Sequence, residues 1–374
     1  MPERPRVVIT GMGASCAFGR GTGPLRDGTL SGEPAFGEVT RFRADGCRVR
    51  TAALIPGRPA TADELSAVLG EACGQAGLDA ELRERCPLLV ALHSDPEAAR
   101  EPAAPQVTGD TAARLAAECG MPAPLRTYVA ACVAASTAVA DAATMITTGE
   151  ADRVAVAAGF LVDSDSQALF DAGRALATDG QVRPFSAGRS GMLLGDGAAA
   201  VICESAAAAA ARNAAPQAVL AGWGRAGDAY HVCQPRPDGD GCARAIGAAL
   251  RRAGAAPGDV CYVNANGTGT PFGDAAESAA LHLALGAAAA RIPVSSTKSL
   301  HGHSLEASGL VELVATVLAL RAGTLPVNAG FLGPDRDCPL DLVHPVPRPS
   351  GPGYGLSVNS AFGGANTALL VSAA

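Results

Sequence analysis

Lysine is almost missing from this chain of 374 residues. Its 29 basic side chains include one lysine, Lys298, and all the others are arginine. A composition that avoids lysine this strongly and keeps it once marks a position that needs a compact ammonium, because a planar guanidinium cannot take the same place. Aromatic residues are also scarce, at 4%, while hydrophobic residues make up 48%. The core is therefore built from Ala, Val and Leu. None of the 11 cysteines stands in a C-x-x-C pair or a Cys/His cluster, which argues against zinc. That scatter fits reduced thiols in a cytoplasmic protein, most of them small buried hydrophobes. The net charge of -7 argues against a nucleic-acid or anionic-membrane surface, and local arginine patches leave room for an acidic protein partner. No apolar run has the length and helical character of a membrane span. The first residues, Arg6-Val7-Val8-Ile9-Thr10-Gly11, read as a strand and not as a signal peptide.

What is present alternates. Short β-branched runs predict strands at 7–10, 88–92, 127–131, 154–158, 198–203, 218–221, 260–264, 293–296, 355–359 and 368–371. Alanine-rich stretches predict helices at 62–76, 111–120, 132–148, 241–253, 274–285 and 304–322. This is an α/β pattern. Its two halves echo each other. Val7-Val8-Ile9-Thr10-Gly11-Met12-Gly13 is like Ala218-Val219-Leu220-Ala221-Gly222-Trp223-Gly224, and the runs at 198–203 and 368–371 close each half alike. Tyr128-Val129-Ala130-Ala131-Cys132 is also like Tyr262-Val263-Asn264-Ala265-Asn266. Three matches in one order suggest a duplicated unit, with an N-terminal half at 1–210 and a C-terminal half at 211–374. Cys132 and Asn266 would then occupy matching strand ends and face one shared site.

Four segments carry candidate chemistry. Cys132 follows a strand and opens an alanine-rich helix, where free N–H groups favour thiolate and the turn exposes a nucleophile. Asn266-Gly267-Thr268-Gly269-Thr270 is a glycine-rich loop whose small residues and hydroxyls could line a narrow channel. It is not a phosphate loop, since no lysine follows at the required spacing, and Gly11-Met12-Gly13 is a weak dinucleotide signal. Lys298 is followed by His301 and His303, two of only six histidines. His303 could donate to a thioester carbonyl or orient the thiol, whereas His301 reads as structural. Finally, the turn containing Phe362, Gly363 and Gly364 offers backbone N–H groups that could form an oxyanion hole with that of Cys132.

Taken together, these segments resemble the β-ketoacyl synthase family of the thiolase superfamily over essentially the whole chain. The resemblance rests on Val8-Ile9-Thr10-Gly11-Met12-Gly13, Thr40-Arg41-Phe42, Ala131-Cys132, Arg183-Pro184-Phe185-Ser186, Gly195-Asp196-Gly197, Gly267-Thr268-Gly269-Thr270-Pro271, Ser296-Thr297-Lys298-Ser299, Gly302-His303, Glu312 and Phe362-Gly363-Gly364. The Val39-Thr40-Arg41-Phe42 run looks more like type II polyketide synthase subunits than fatty acid synthases. The resemblance implies a duplicated, five-layer αβαβα thiolase-like fold, usually dimeric. It implies a cysteine, Cys132, that takes an acyl group from the phosphopantetheine arm of an acyl carrier protein, with no tightly bound cofactor. His303, Lys298 and Glu312 match the supporting set, Thr268 and Thr270 match pantetheine-contacting threonines, and Ser360 stands where an acyl-gate aromatic is common. The segment between Leu92 and Arg126 is shorter than is usual in the family.

Asn266 is the main departure, since the family normally has its first catalytic histidine there. An amide can donate to a carbonyl oxygen but cannot act as acid or base. The chalcone-synthase-like branch condenses with a Cys/His/Asn set, in which case Asn and His have here exchanged halves. Related modules lacking this histidine transfer acyl chains without extending them. The leading expectation is an acyltransferase working through acyl-Cys132, with condensation impaired or altered. The alternative is a non-elongating, chain-length-factor-type partner subunit. The partners expected are an acyl carrier protein and either a second copy or a second ketosynthase-like subunit.

Overall fold

The computed structural model describes residues 5–93 and 108–374. The sheet-building elements and their main helices run, in the first half, β1 (Val7–Cys16), α1 (Thr61–Ala76), β2 (Leu88–Leu92), α2 (Thr108–Glu118), β3 (Arg126–Tyr128), α3 (Ala134–Thr147), β4 (Arg153–Phe160) and β5 (Gly197–Ser205). The second half repeats the order as β6 (Ala218–Gly227), α4 (Asp240–Ala253), β7 (Val260–Asn264), α5 (Pro271–Leu285), β8 (Pro293–Ser295), α6 (Ser308–Ala322), β9 (Tyr354–Ala361) and β10 (Ala365–Ala373).

The strands form one continuous ladder in the order β8-β7-β9-β10-β6-β1-β5-β4-β2-β3, extended beyond β8 by Asp341–Leu342. The order is a mirror about its centre. There β1 pairs antiparallel with β6 through Val7–Leu220, Val8–Val219 and Ile9–Ala218. On either side the inner pairs are antiparallel and the outer ones parallel. Helices α3 and α6 touch strands of both halves, whereas α1 and α2 cover one outer face and α4 and α5 the other. Three separate apolar clusters match these interfaces. The layers are therefore αβαβα, as expected.

Burial explains the composition. Every residue of β4 and β5 is buried, and α6 is buried nearly all round, so both read as continuous apolar runs. The paired glycines have a packing role. A Cβ on Gly11 or Gly13 would lie 2.0 Å from the carbonyl oxygen of Ala72 or Val68 in α1. Gly222 and Gly224 meet Ala249 and Ala245 of α4 at 2.1 and 1.9 Å. Helix backbone lies directly on strand backbone in both halves.

Several expectations need correcting. Two predicted helices begin too early. Residues 131–133 and 305–307 form short 3-10 turns ahead of α3 and α6. Helices Thr22–Ser31 and Ser164–Ala172 were not predicted; the second opens on an Asp163 capping box. The pairing of Cys132 with Asn266 as equivalent strand ends also fails. Cys132 follows β3, Asn266 follows β7, and the counterpart of β7 is β2. The counterpart of β3 is β8, and the short turn Ala131–Val133 before α3 corresponds to Leu305–Ala307 before α6. Cys132 therefore corresponds to Glu306. Within the short segment between Leu92 and Arg126, residues 94–107 lie outside the described residues.

Candidate active site

The chain reverses between β3 and α3 through Ala131, whose φ of 48° is in the left-handed region. That conformation is strained for a residue with a Cβ and marks a forced turn. It presents Cys132, which is 7% exposed. The Cys132 Sγ lies 3.0 Å from His303 Nε2. The expectation of a thiolate favoured by a helix N-terminus is reversed. Cys132 lies in the turn ahead of the helix, and burial pushes its thiol up to about 12, with the Glu306 charge adding and Lys298 opposing. The resting nucleophile is a thiol and needs a base.

His303 is placed by the Gly195-Asp196-Gly197 motif. Its N–H donates to Leu193 O at 2.8 Å, and Gly195 N–H donates to His303 O at 3.0 Å. A Cβ on Gly195 would lie 2.0 Å from His301 O, so only glycine permits this approach. Asp196 anchors the motif by accepting from Arg41 Nη1 at 3.1 Å and from the N–H groups of Ile55 and Val162 at 2.8 and 2.7 Å. His303 Nδ1 lies 2.8 Å from Ser308 Oγ, which also accepts from Ser304 N–H at 3.1 Å. Burial and the nearby Lys298 charge hold His303 well below its ordinary 6.5. The imidazole is neutral. With Nδ1–H directed at Ser308, Nε2 presents a lone pair to the thiol.

Lys298 is 1% exposed. Its ammonium lies 2.5 Å from Glu312 Oε1 and donates to Asn266 Oδ1 at 3.3 Å. Glu312 Oε2 accepts from Asn359 Nδ2 at 2.6 Å. A bond from an ammonium fixes the Asn266 amide orientation, since only the oxygen can accept. That leaves Nδ2 as a donor with no protein partner among the described residues.

The Asn266 loop is held from below by α5. Glu277 accepts the N–H groups of Asn266 and Gly267 at 2.7 and 2.8 Å. Asp274 accepts those of Gly269 and Phe185 at 3.1 and 2.7 Å. Burial raises both carboxyls to about 7. Thr268 and Thr270 hydroxyls are 2.9 Å apart. Ser360 Oγ donates to Asn366 at 2.7 Å, and half-exposed Phe362 stacks on Phe170 at 6.1 Å. The expected oxyanion role of Gly363 and Gly364 is corrected. Their N–H groups donate to Val232 and Ala361, which leaves the Phe362 N–H without a described partner. His301 is fully buried, held down to about 4 mainly by that burial, and without a ring-nitrogen partner among the described residues.

The structure thus joins Cys132 to His303 directly, and Asn266 and Glu312 through Lys298. It adds residues the sequence did not single out. Ser308 and Asn359 orient side chains already named. Glu306 and Glu312 are the only acidic residues between 304 and 322, and that scarcity was a usable signal. Glu306 is buried, and its Oε1 lies 3.0 Å from Nδ1 of His93, the residue directly after β2.

The family model described as Beta-ketoacyl synthase, N-terminal domain, matches residues 76–209, and Beta-ketoacyl synthase, C-terminal domain, matches residues 217–332. The chain belongs to the β-ketoacyl synthase family. Its relatives include 3-oxoacyl-[acyl-carrier-protein] synthase 2 of Staphylococcus aureus (strain COL), 30% identical with 99% of each chain covered. The synthase of the same name from Synechocystis is 32% identical, with 98% of each covered. Among solved structures, the ishigamide ketosynthase/chain length factor aligns at TM-score 0.92 with 29% identity and 100% of each chain covered. A β-ketoacyl synthase from Burkholderia phymatum STM815 aligns at 0.88 with 28% identity, covering 99% of this chain and 100% of that one. The chain is a ketosynthase-family acyltransferase with the thiolase-like duplicated fold. No helix among the described residues is long and apolar enough to cross a membrane.

Proposed function

We propose that this ketosynthase takes an acyl group from the phosphopantetheine thiol of an acyl carrier protein onto Cys132, and that Asn266 impairs or alters the carbon–carbon bond-forming step. The observation that carries the reading is the 3.0 Å contact between His303 Nε2 and Cys132 Sγ, in a site where the thiol is protonated and the imidazole is neutral. His303 takes the thiol proton as sulfur attacks the thioester carbonyl, then delivers it to the departing pantetheine sulfur. Cys132 and Phe362 N–H groups and the Asn266 amide stabilise the oxyanion. Thr268 and Thr270 contact the pantetheine arm, and Ser360 borders the acyl group. Lys298, held by Glu312, orients Asn266 and takes no proton.

Decarboxylating a malonyl extender normally calls on two histidines, and an amide at 266 removes one acid/base. The retained Cys132–His303 contact favours this enzyme reading over a non-elongating partner subunit.

The sheet ends at β3, whose residues Arg126 and Thr127 are exposed. Leu125 and Val129 on either side are 49% and 60% exposed. We read this edge as the dimer contact, with a second copy or a ketosynthase-like subunit. The halves divide near residues 210 and 211.

Intact-mass spectrometry after mixing with an acyl-carrier protein tests the reading. An acyl adduct on the native chain, absent in Cys132→Ala, is expected. No adduct with any acyl donor overturns it.

A further inference from the structure

Glu306 is a buried carboxylate that acyl transfer does not use. It occupies in the second half the place Cys132 holds in the first. Both are the middle residue of a 3-10 turn opened by a non-glycine residue at positive φ, Ala131 at 48° and Leu305 at 38°. The two turns pack against each other, because α3 and α6 cross closely. A Cβ on Gly309 would lie 2.9 Å from Ser136 N. Glu306 exerts the largest electrostatic influence on the Cys132 thiol. It is 3% exposed. Its Oε1 lies 3.0 Å from His93 Nδ1, while Oε2 is buried with no hydrogen-bond partner among the described residues. His93 is half exposed at its side chain. The chain thus holds a carboxylate beside the nucleophile, with one oxygen unengaged among the described residues and the other bonded to an imidazole that reaches solvent.

We propose that Glu306, oriented by His93, is the general base for hydrolysis of acyl-Cys132, so that the site releases acyl groups it does not extend. The unengaged Oε2 accepts a proton from a water. The water oxygen bonds to the thioester carbonyl carbon, with the Asn266 amide and backbone N–H groups on the oxyanion. The C–S bond then breaks, and the Glu306 proton passes to the leaving sulfur. The balance is acyl-Cys132 plus water to carboxylic acid plus Cys132 thiol. The site is suited to this step, since an amide at 266 stabilises an oxyanion but removes no proton. His93 acts through Glu306 and is a positioning residue. The charged and titratable groups around the pair are Asp163 facing His93, and Lys298, Glu312 and His303 around Cys132.

The hydrolysis rests on the acyl-Cys132 reading, and the experiment separates the two. The full-length protein is loaded with octanoyl-N-acetylcysteamine, freed of excess donor, and followed by intact mass in ¹⁸O water. The native adduct should decay to octanoic acid carrying one ¹⁸O. In Glu306→Gln the adduct should persist at least tenfold longer, with Glu306→Asp recovering part of the rate. Glu306 holds His93 above its ordinary 6.5. Losing that proton as pH rises frees the carboxylate to act as a stronger base, so native decay should accelerate through an inflection above pH 6.5 that His93→Asn lacks. A cooperative thermal unfolding transition like that of the native protein confirms that each variant is folded. An adduct that decays equally fast in Glu306→Gln overturns the hydrolysis while leaving acyl transfer standing; no adduct at all overturns both.

Discussion

The Asn266 side-chain oxygen accepts a hydrogen bond from the Lys298 ammonium at 3.3 Å. This contact turns the amide nitrogen into a fixed donor and keeps a positive charge beside position 266. A histidine there would be held neutral by its neighbour, since a cation nearby disfavours imidazolium. It could accept a proton where the amide cannot. Carbon dioxide release from malonyl-carrier protein should therefore be weak or absent in the native protein and should rise in Asn266→His, on the order of tenfold or more for one restored acid/base group. Native release at the rate of an ordinary family member would show that the amide does not limit the reaction.

The Cys132–His303 pair should give acyl loading no pH dependence, which leaves any change near pH 7 to the Asp274 and Glu277 carboxyls under the Asn266 loop. Cys132 is raised to about 12 by burial, so the thiol stays protonated through neutral and moderately alkaline pH. His303 is held well below 6.5 by burial and Lys298, so the base stays neutral as pH falls through 6.5. Neither group changes state between about pH 6.5 and 10, and no bell is expected from the pair there. Stopped-flow loading from a fixed thioester measures this. The same shifts act on stability. His301 and His303 have lowered folded values, so the unfolded chain takes up protons first, and stability from keeping them neutral is lost as pH falls below 6.5. For His301 the loss runs toward about 4. The raised Cys132 value works at the other end, its contribution fading as pH rises from about 9 to about 12. A tenfold drop in loading between pH 8 and 6.5 that persists in Asp274→Asn and in Glu277→Gln would contradict the neutral His303.

Lys298 and Glu312 are buried as a pair, 1% and 0% exposed at their side chains. Removing one partner leaves the other charge uncompensated, which costs about 3–5 kcal/mol. Glu312→Ala should lower stability by this order in chemical denaturation, and Lys298→Met with Glu312→Leu together should lose less. Lys298→Arg should fail to restore loading, because a forked guanidinium cannot fit one carboxylate oxygen and one amide oxygen within the same enclosed space. Full activity in Lys298→Arg would mean that the compact ammonium is not required.

Much of this site was legible in the sequence. Cys132, His303 and Lys298 each carried a local signal, a strand-to-helix turn or a rare residue, whereas Glu312 entered through the family resemblance. The counterpart strands β2 and β7 were legible to the residue because their apolar runs end abruptly. Relationships across space were not. The likeness of residues 128–132 to 262–266 pointed to the wrong counterpart, since alternating small and apolar residues recur in any buried strand and do not record its neighbours. Ladder order decided that Cys132 corresponds to Glu306. Burial was equally invisible: a helix N-terminus argues for thiolate, but enclosure dominates and keeps the thiol protonated. Asn359 and Ser308 act through side-chain hydrogen bonds, which no spacing announces.

The glycine pairs of β1 and β6 offer the last test, because both dinucleotide binding and backbone packing could account for them. A Cβ on Gly13 would lie 2.0 Å from Val68 O, and one on Gly224 would lie 1.9 Å from Ala245 O. These are backbone atoms of α1 and α4, so no side chain can rotate away and a helix must move. Overpacking of this kind costs about 1–3 kcal/mol. Gly13→Ala and Gly224→Ala should each lower the urea midpoint accordingly, with similar losses because the two contacts are counterparts. Gly23 is the control: it is helical, its added Cβ meets nothing within 4 Å, and Gly23→Ala should be neutral or stabilising by up to about 1 kcal/mol. Equal stability of Gly13→Ala and Gly23→Ala would show that α1 does not rest on β1 at this point, and the common strand–helix contact of the two halves would lose its physical basis.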